Sequence, residues 1–199
     1  MKNRLLRGPS SRLRARRRWL RVFTIVLAAG TVTAHASDSL APDEAALTGG
    51  YGKSVSIYGL ALRWDSLCAC ADLKAHGFET RLDAQVAYWH AHQRPTDNGS
   101  LWDTSLTPVL RWSTPDVAGA HLYIEAGVGA HILSATRINN DRVFSTAFQF
   151  GEDAGTGVVF GDHHQYEFGV YVQHVSNARI KEPNNGLTYL GAVLRAAVP

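Results

Sequence analysis

His174 and Ser176 stand two residues apart near the C-terminal end of the chain, in the stretch HVSNARIKEPNNG that runs from His174 to Gly186. A neutral imidazole, with an ordinary pKa of ~6.5, can take a serine proton near neutral pH and later hand it to a leaving group, so this pair is suited to ester hydrolysis. Asn177 and Asn184 are amides in the same stretch that can donate to a developing oxyanion. The same residues are equally compatible with a polar strand end followed by a PNNG turn. The elements that carry them decide between the two readings.

The charge distribution divides the chain. Residues 1–36 hold nine Lys or Arg and no Asp or Glu, followed within the same segment by an apolar run from Val22 to Val32 and the small-x-small triplet Ala34 to Ala36. This is the layout of a secretory signal with an extended basic region. The apolar run is shorter than the roughly 20 residues a membrane-spanning helix needs. Removing the nine leaves 11 of the 20 basic residues against 17 acidic ones, a net charge near −6. A nucleic-acid partner therefore has no electrostatic footprint, and residues 37–199 suffice for one domain.

That remainder alternates with period two and shows no long helical periodicity. Phe78, Leu82, Ala84, Val86 and Tyr88 share one face of a strand, with Glu79, Arg81, Asp83 and Gln85 opposite. Trp102, Leu106, Pro108, Leu110 and Trp112 are likewise set against Asp103, Ser105, Thr107 and Arg111, and Leu122, Ile124, Val128 and Ile132 against Tyr123, Glu125 and His131. A soluble sandwich or lipocalin-like barrel buries the apolar face, whereas an outer-membrane barrel turns it to lipid. Trp102 and Trp112 favour the membrane: they lie ten residues apart, which at ~3.3 Å per residue and ~45° tilt spans about 23 Å, close to the apolar band of such barrels. Charges of both signs on the polar faces can pair in a narrow lumen.

The pattern predicts eight strands, at 53–64, 78–90, 101–112, 120–132, 143–151, 155–161, 165–177 and 187–198, an even number able to close without edges. The fold expected is all-β, an eight-stranded antiparallel transmembrane β-barrel, with 1–36 as signal peptide and 37–199 as the barrel domain. In the seventh strand, Phe168, Val170 and Val172 share a face with His174 and Ser176. In the eighth, Thr188, Leu190, Ala192 and Leu194 point the same way, so Thr188 emerges beside the pair. With the N-terminus in the periplasm, the end of the seventh strand reaches the outer leaflet, where lipopolysaccharide lies.

From FSTAFQFGED through YEFGVYVQHVSNARIKEPNNGLTYLGAVLRAAV the chain resembles the lipid A 3-O-deacylases of the PagL type, and IEAGVGAHILS is also family-like. The hallmark is His-x-Ser-Asn followed by Pro-Asn-x-Gly, present here as His174, Ser176, Asn177, Pro183, Asn184 and Gly186. The resemblance implies an outer-membrane serine esterase that removes the 3-hydroxyacyl chain at position 3 of lipid A with no metal and no cofactor. It implies Ser176 as nucleophile, His174 as base, and Asn177 and Asn184 near the oxyanion site. A homodimer is compatible with this reading. Thr188 stands where the family places an acid that orients the histidine, and Arg179 where it places a glycine after Ser-Asn-Ala; the chain also ends in AAVP rather than in an aromatic residue.

Arg179 and Lys181 flank the pair on the outer side, suited to lipid A phosphates or simply solvated. Glu182, the one carboxylate of the loop, is a candidate to stand in for the missing acid. Cys68 and Cys70 are expected in the first outer loop, where two cysteines one residue apart form at best a strained bridge and have a local redox role or none, and His163 and His164 are expected in a periplasmic turn, solvated rather than at a metal site. Two alternatives stand beside the deacylase: a non-catalytic structural or lipopolysaccharide-binding barrel in which Thr188 marks a decayed site, and a phospholipase of the same membrane.

Overall fold

The computed structural model describes residues 41–68, 70–92, 98–140 and 142–199. The segment 1–36, read as an export signal, lies outside them. The long strands are β1 (Glu44–Gly52), β2 (Val55–Asp65), β3 (Phe78–Ala91), β4 (Ser100–Ser113) and β5 (Ala120–Leu133). Two short strands, β6 (Arg137–Ile138) and β7 (Arg142–Val143), form a hairpin of their own before β8 (Phe148–Phe160), β9 (Tyr166–Ser176) and β10 (Leu187–Ala197). A single helical turn, α1 (Ala71–Ala75), lies between β2 and β3. Apart from the β6–β7 hairpin, the strands close into one antiparallel barrel in the order β1-β10-β9-β8-β5-β4-β3-β2.

The period-two pattern dictates which side faces out. Leu60 is 65 % exposed, Ile124 58 % and Leu190 62 %, while Arg63 and Arg111 are fully buried at 0 %. A wall that is apolar outside and charged inside is stable in lipid and would be unstable in water. The expected outer-membrane barrel is therefore observed.

Two strand boundaries differ from expectation. β1 was not expected, because EAALTGGYG is dominated by small residues that blur its alternation; its bounds are set by pairing with both β2 and β10. β8 is one strand where two, at 143–151 and 155–161, were expected. Its glycines are not turn residues but points of close approach. A Cβ on Gly151 would collide with the imidazole of His131, and one on Gly157 with the hydroxyl of Tyr123. The two errors offset each other, so β9 remains seventh around the chain and its C-terminal end lies at the rim expected. The strands before β8 run opposite to the expected sense. Cys68 and Cys70, disulfide-bonded with Cα atoms 5.2 Å apart, accordingly lie at the opposite rim from the one expected.

The connections at 92–99, 134–147 and 177–186 share one rim with the tight β1–β2 turn. The other rim holds the connections at 66–77, 114–119 and 161–165, together with the start of β1 and the end of β10. Barrels of this type carry longer loops outside and short turns in the periplasm, so the first rim is the outer one.

The lumen is filled in two layers. Deeper in, Arg63 pairs with Asp83 at 2.7 Å and Glu125 at 3.2 Å, Arg111 with Glu125 at 2.6 Å and Glu167 at 2.6 Å, and Arg195 with Glu167 at 2.9 Å and Asp83 at 3.0 Å. Tyr123 donates to Glu167 at 2.9 Å, and the Arg111 guanidinium stacks 3.6 Å from the centre of its ring. Towards the outer rim an apolar cluster that includes Ile57, Trp89, Leu133, Phe144, Val175, Leu187 and Tyr189 closes the barrel.

Candidate active site

The apolar plug positions the residues singled out in the sequence. Val175 and Leu187 are partners in the β9–β10 ladder and both are 0 % exposed, held among the plug residues. Strand alternation then forces His174, Ser176 and Thr188 onto the outer wall. His174 is in register with Thr188, and its Nδ1 lies 2.8 Å from Thr188 Oγ1. When Nδ1–H donates to that hydroxyl, Nε2 is left as the basic nitrogen.

The other flank of the pair is β8. Glu152 is the cross-strand partner of His174, and Phe150 that of Ser176. Glu152 is exposed on the outer wall. Neighbours of this kind have Cβ atoms roughly 4.5–5.5 Å apart, so Glu152 flanks His174 on the strand opposite Thr188. Phe150 meets Phe148 edge to face with ring centres 5.0 Å apart, which sets an apolar surface next to Ser176. Sequence reasoning missed both residues, because the division of β8 left Glu152 in a turn. An unbroken alternation from Phe148 to Phe160 would have placed it on the outward face.

The 177–186 loop is fastened from below. Asn177 is 0 % exposed, and its Nδ2 donates to Phe144 O and to Lys181 O, both at 2.8 Å. The side chain expected near the oxyanion is therefore turned into the loop, where it fixes the backbone. Its N–H points at Asn184 Oδ1 at 3.5 Å, which leaves the Nδ2 end of Asn184 as the side-chain donor of the segment. Glu182 accepts the Asn184 N–H at 2.9 Å and so serves the loop rather than the histidine. Ser145 donates to Pro183 O at 2.6 Å, and Asn185 exchanges bonds of 3.0 and 3.1 Å with Val143, strapping the loop to the β5–β8 connection.

Gly186 seals the arrangement. It adopts φ +56, and a Cβ there would sit 3.1 Å from His174 Cε1 and 3.3 Å from the Ser176 Cβ. Only glycine takes this backbone conformation without strain and leaves the imidazole in place. Arg179 and Lys181 are both exposed in the loop, and Arg179 holds φ +66.

Comparison with known proteins agrees with this geometry. Residues 57–197 match the profile of the family described as lipid A 3-O-deacylase (PagL). The lipid A deacylase PagL of Bordetella bronchiseptica is 40% identical over 102 residues, which is 51% of this chain and 53% of that protein. The chain thus matches about half the length of that relative. Its counterpart in Pseudomonas aeruginosa is 28% identical over 169 residues, covering 84% of this chain and 92% of that protein. The crystal structure of the outer membrane enzyme PagL superposes with a TM-score of 0.66 at 25% identity, over 78% of this chain and 99% of that one. An eight-stranded barrel with a lipid-facing wall, a matched profile across most of its strands and similar relatives of one kind lead to a single assignment: the chain belongs to the lipid A 3-O-deacylase (PagL) family.

Proposed function

We propose that the protein is a lipid A 3-O-deacylase of the outer membrane in which Ser176 is the nucleophile and His174 the general base. The observation that carries this reading is the outward-facing His174–Ser176 pair at the outer rim, with His174 Nδ1 tethered to Thr188. Ser176 Oγ attacks the carbonyl carbon of the ester at position 3 while His174 Nε2 takes its proton. The tetrahedral oxyanion is met by the Asn184 amide. Collapse breaks the bond to the sugar oxygen, which leaves with the proton from His174. Water then attacks the acyl-serine, His174 again carrying the proton, and a 3-hydroxy fatty acid departs as Ser176 regains its hydrogen.

Thr188 holds the imidazole but carries no charge. In this mechanism Glu152 supplies it from β8, since a carboxylate roughly 4–6 Å away favours the imidazolium that forms during each attack. Arg179 and Lys181 lie where lipid A phosphates would meet the rim. Export would remove residues 1–36. The test is mass spectrometry of lipid A after incubation with detergent-refolded protein. Wild type is expected to remove one 3-hydroxyacyl mass and Ser176→Ala to remove none while migrating as a folded barrel. A folded wild type that leaves lipid A intact would instead make this a binding or structural barrel.

A further inference from the structure

At the periplasmic rim, two turns bring together three side chains that the deacylation chemistry does not use. Asp116 lies in the β4–β5 connection, His121 near the start of β5, and His164 in the β8–β9 connection. One ligand atom from each lies within 4.8 Å of the other two. His164 Nε2 approaches Asp116 Oδ2 at 2.5 Å, and the two imidazole rings have centres 5.2 Å apart. The other Asp116 oxygen accepts the Gly119 N–H at 3.0 Å, which orients the carboxylate and turns Oδ2 towards the rings. His164 holds φ +54, a left-handed conformation that a non-glycine residue adopts at a cost.

We infer that Asp116, His121 and His164 form a binding site for a divalent transition-metal ion of the zinc type, which clasps the β4–β5 and β8–β9 turns together. The donor set fits. Two imidazoles and one carboxylate are ligands zinc accepts, with bonds of roughly 2.0–2.2 Å and a water in the fourth place. Magnesium and calcium prefer oxygen-rich sites and match poorly. In a tetrahedral shell with such bonds the ligand atoms stand about 3.3 Å apart. The longest separation, at most 4.8 Å, closes by rotation of exposed or half-buried rings without moving a strand. β5 and β8 are already paired from Ala120↔Phe160 onward, so the ion would reinforce an existing seam. It lies at the rim opposite Ser176 and has no part in ester cleavage.

The test uses untagged, refolded full-length barrel in detergent, with Zn2+ and Co2+ as probes. Isothermal titration is expected to show one Zn2+ bound per chain, and Co2+ to give the intense visible bands of a low-coordinate nitrogen and oxygen site that EDTA erases. His121→Gln and His164→Gln should each weaken binding by tenfold or more. His163→Gln, next in sequence but outside the cluster, should leave it unchanged. Heat-modifiable migration on a gel checks that each variant is folded. Absence of saturable binding to the wild type would overturn the inference, as would equal loss in His163→Gln.

Discussion

At the scale of single residues, the imidazole of His174 is held on one side by the neutral Thr188 hydroxyl and has Glu152 as its cross-strand neighbour on the other. Loss of the acidic member in protease triads costs about 10⁴ in rate, so the division of labour between Thr188 and Glu152 is open to measurement. Thr188→Glu is expected to raise kcat of deacylation at least tenfold with little change in KM, because it joins orientation and charge in one side chain. Glu152→Gln should lower kcat about tenfold in the wild type and far less in the Thr188→Glu background. Equal losses in both backgrounds would show that Glu152 acts on the membrane surface and not on His174. Arg179 makes a separate case. It stands at φ +66, so Arg179→Gly should stabilise the loop by about 1 kcal/mol, read as a higher unfolding temperature.

At the scale of elements, the loop between β9 and β10 depends on one buried amide. Asn177→Ala would leave Lys181 O without this donor and Phe144 O with only the long 3.5 Å bond from Gln149 Nε2, at about 1–3 kcal/mol. Trypsin is then expected to cut after Arg179 or Lys181 faster than in the wild type, with the barrel otherwise intact. Alternation made the strands legible wherever large apolar residues marked one face, as in β4 and β5. It failed in β1 and β8, where several lumen-facing positions are glycines because His131, Tyr123 and Tyr189 fill the space next to them. That information belongs to the neighbouring strands and is absent from the local pattern. The His174, Ser176 and Thr188 face was legible because β9 and β10 alternate cleanly. The inward turn of Asn177 and the flanking position of Glu152 were not, since the first needs the β5–β8 connection and the second needs the strand register. The proximity of His164 to Asp116 likewise arises from two turns 48 residues apart.

At the scale of the whole molecule, three arginines and three carboxylates cross-link strands from opposite sides of the lumen. Arg111 touches both Glu125 and Glu167. Arg111→Met would leave Glu125 to Arg63 and Glu167 to Arg195 and Tyr123, with one buried cation of the network missing, and about 3 kcal/mol of destabilisation is expected, measured by urea unfolding followed through tryptophan fluorescence. With salt bridges below and the Trp89 cluster above, the described residues leave no continuous channel through the barrel, and a refolded sample should show no ion conductance in planar bilayers. The same plug separates the lumen from His174 and Ser176, which stand on the outer wall. If the proposed catalytic pair acts from that wall, it meets lipid A by lateral diffusion, so turnover should follow the mole fraction of lipid A in the surrounding micelle or leaflet and not its concentration in the bulk solution. Adding inert detergent at constant protein and constant lipid A is therefore expected to slow the reaction in proportion to the dilution of the surface.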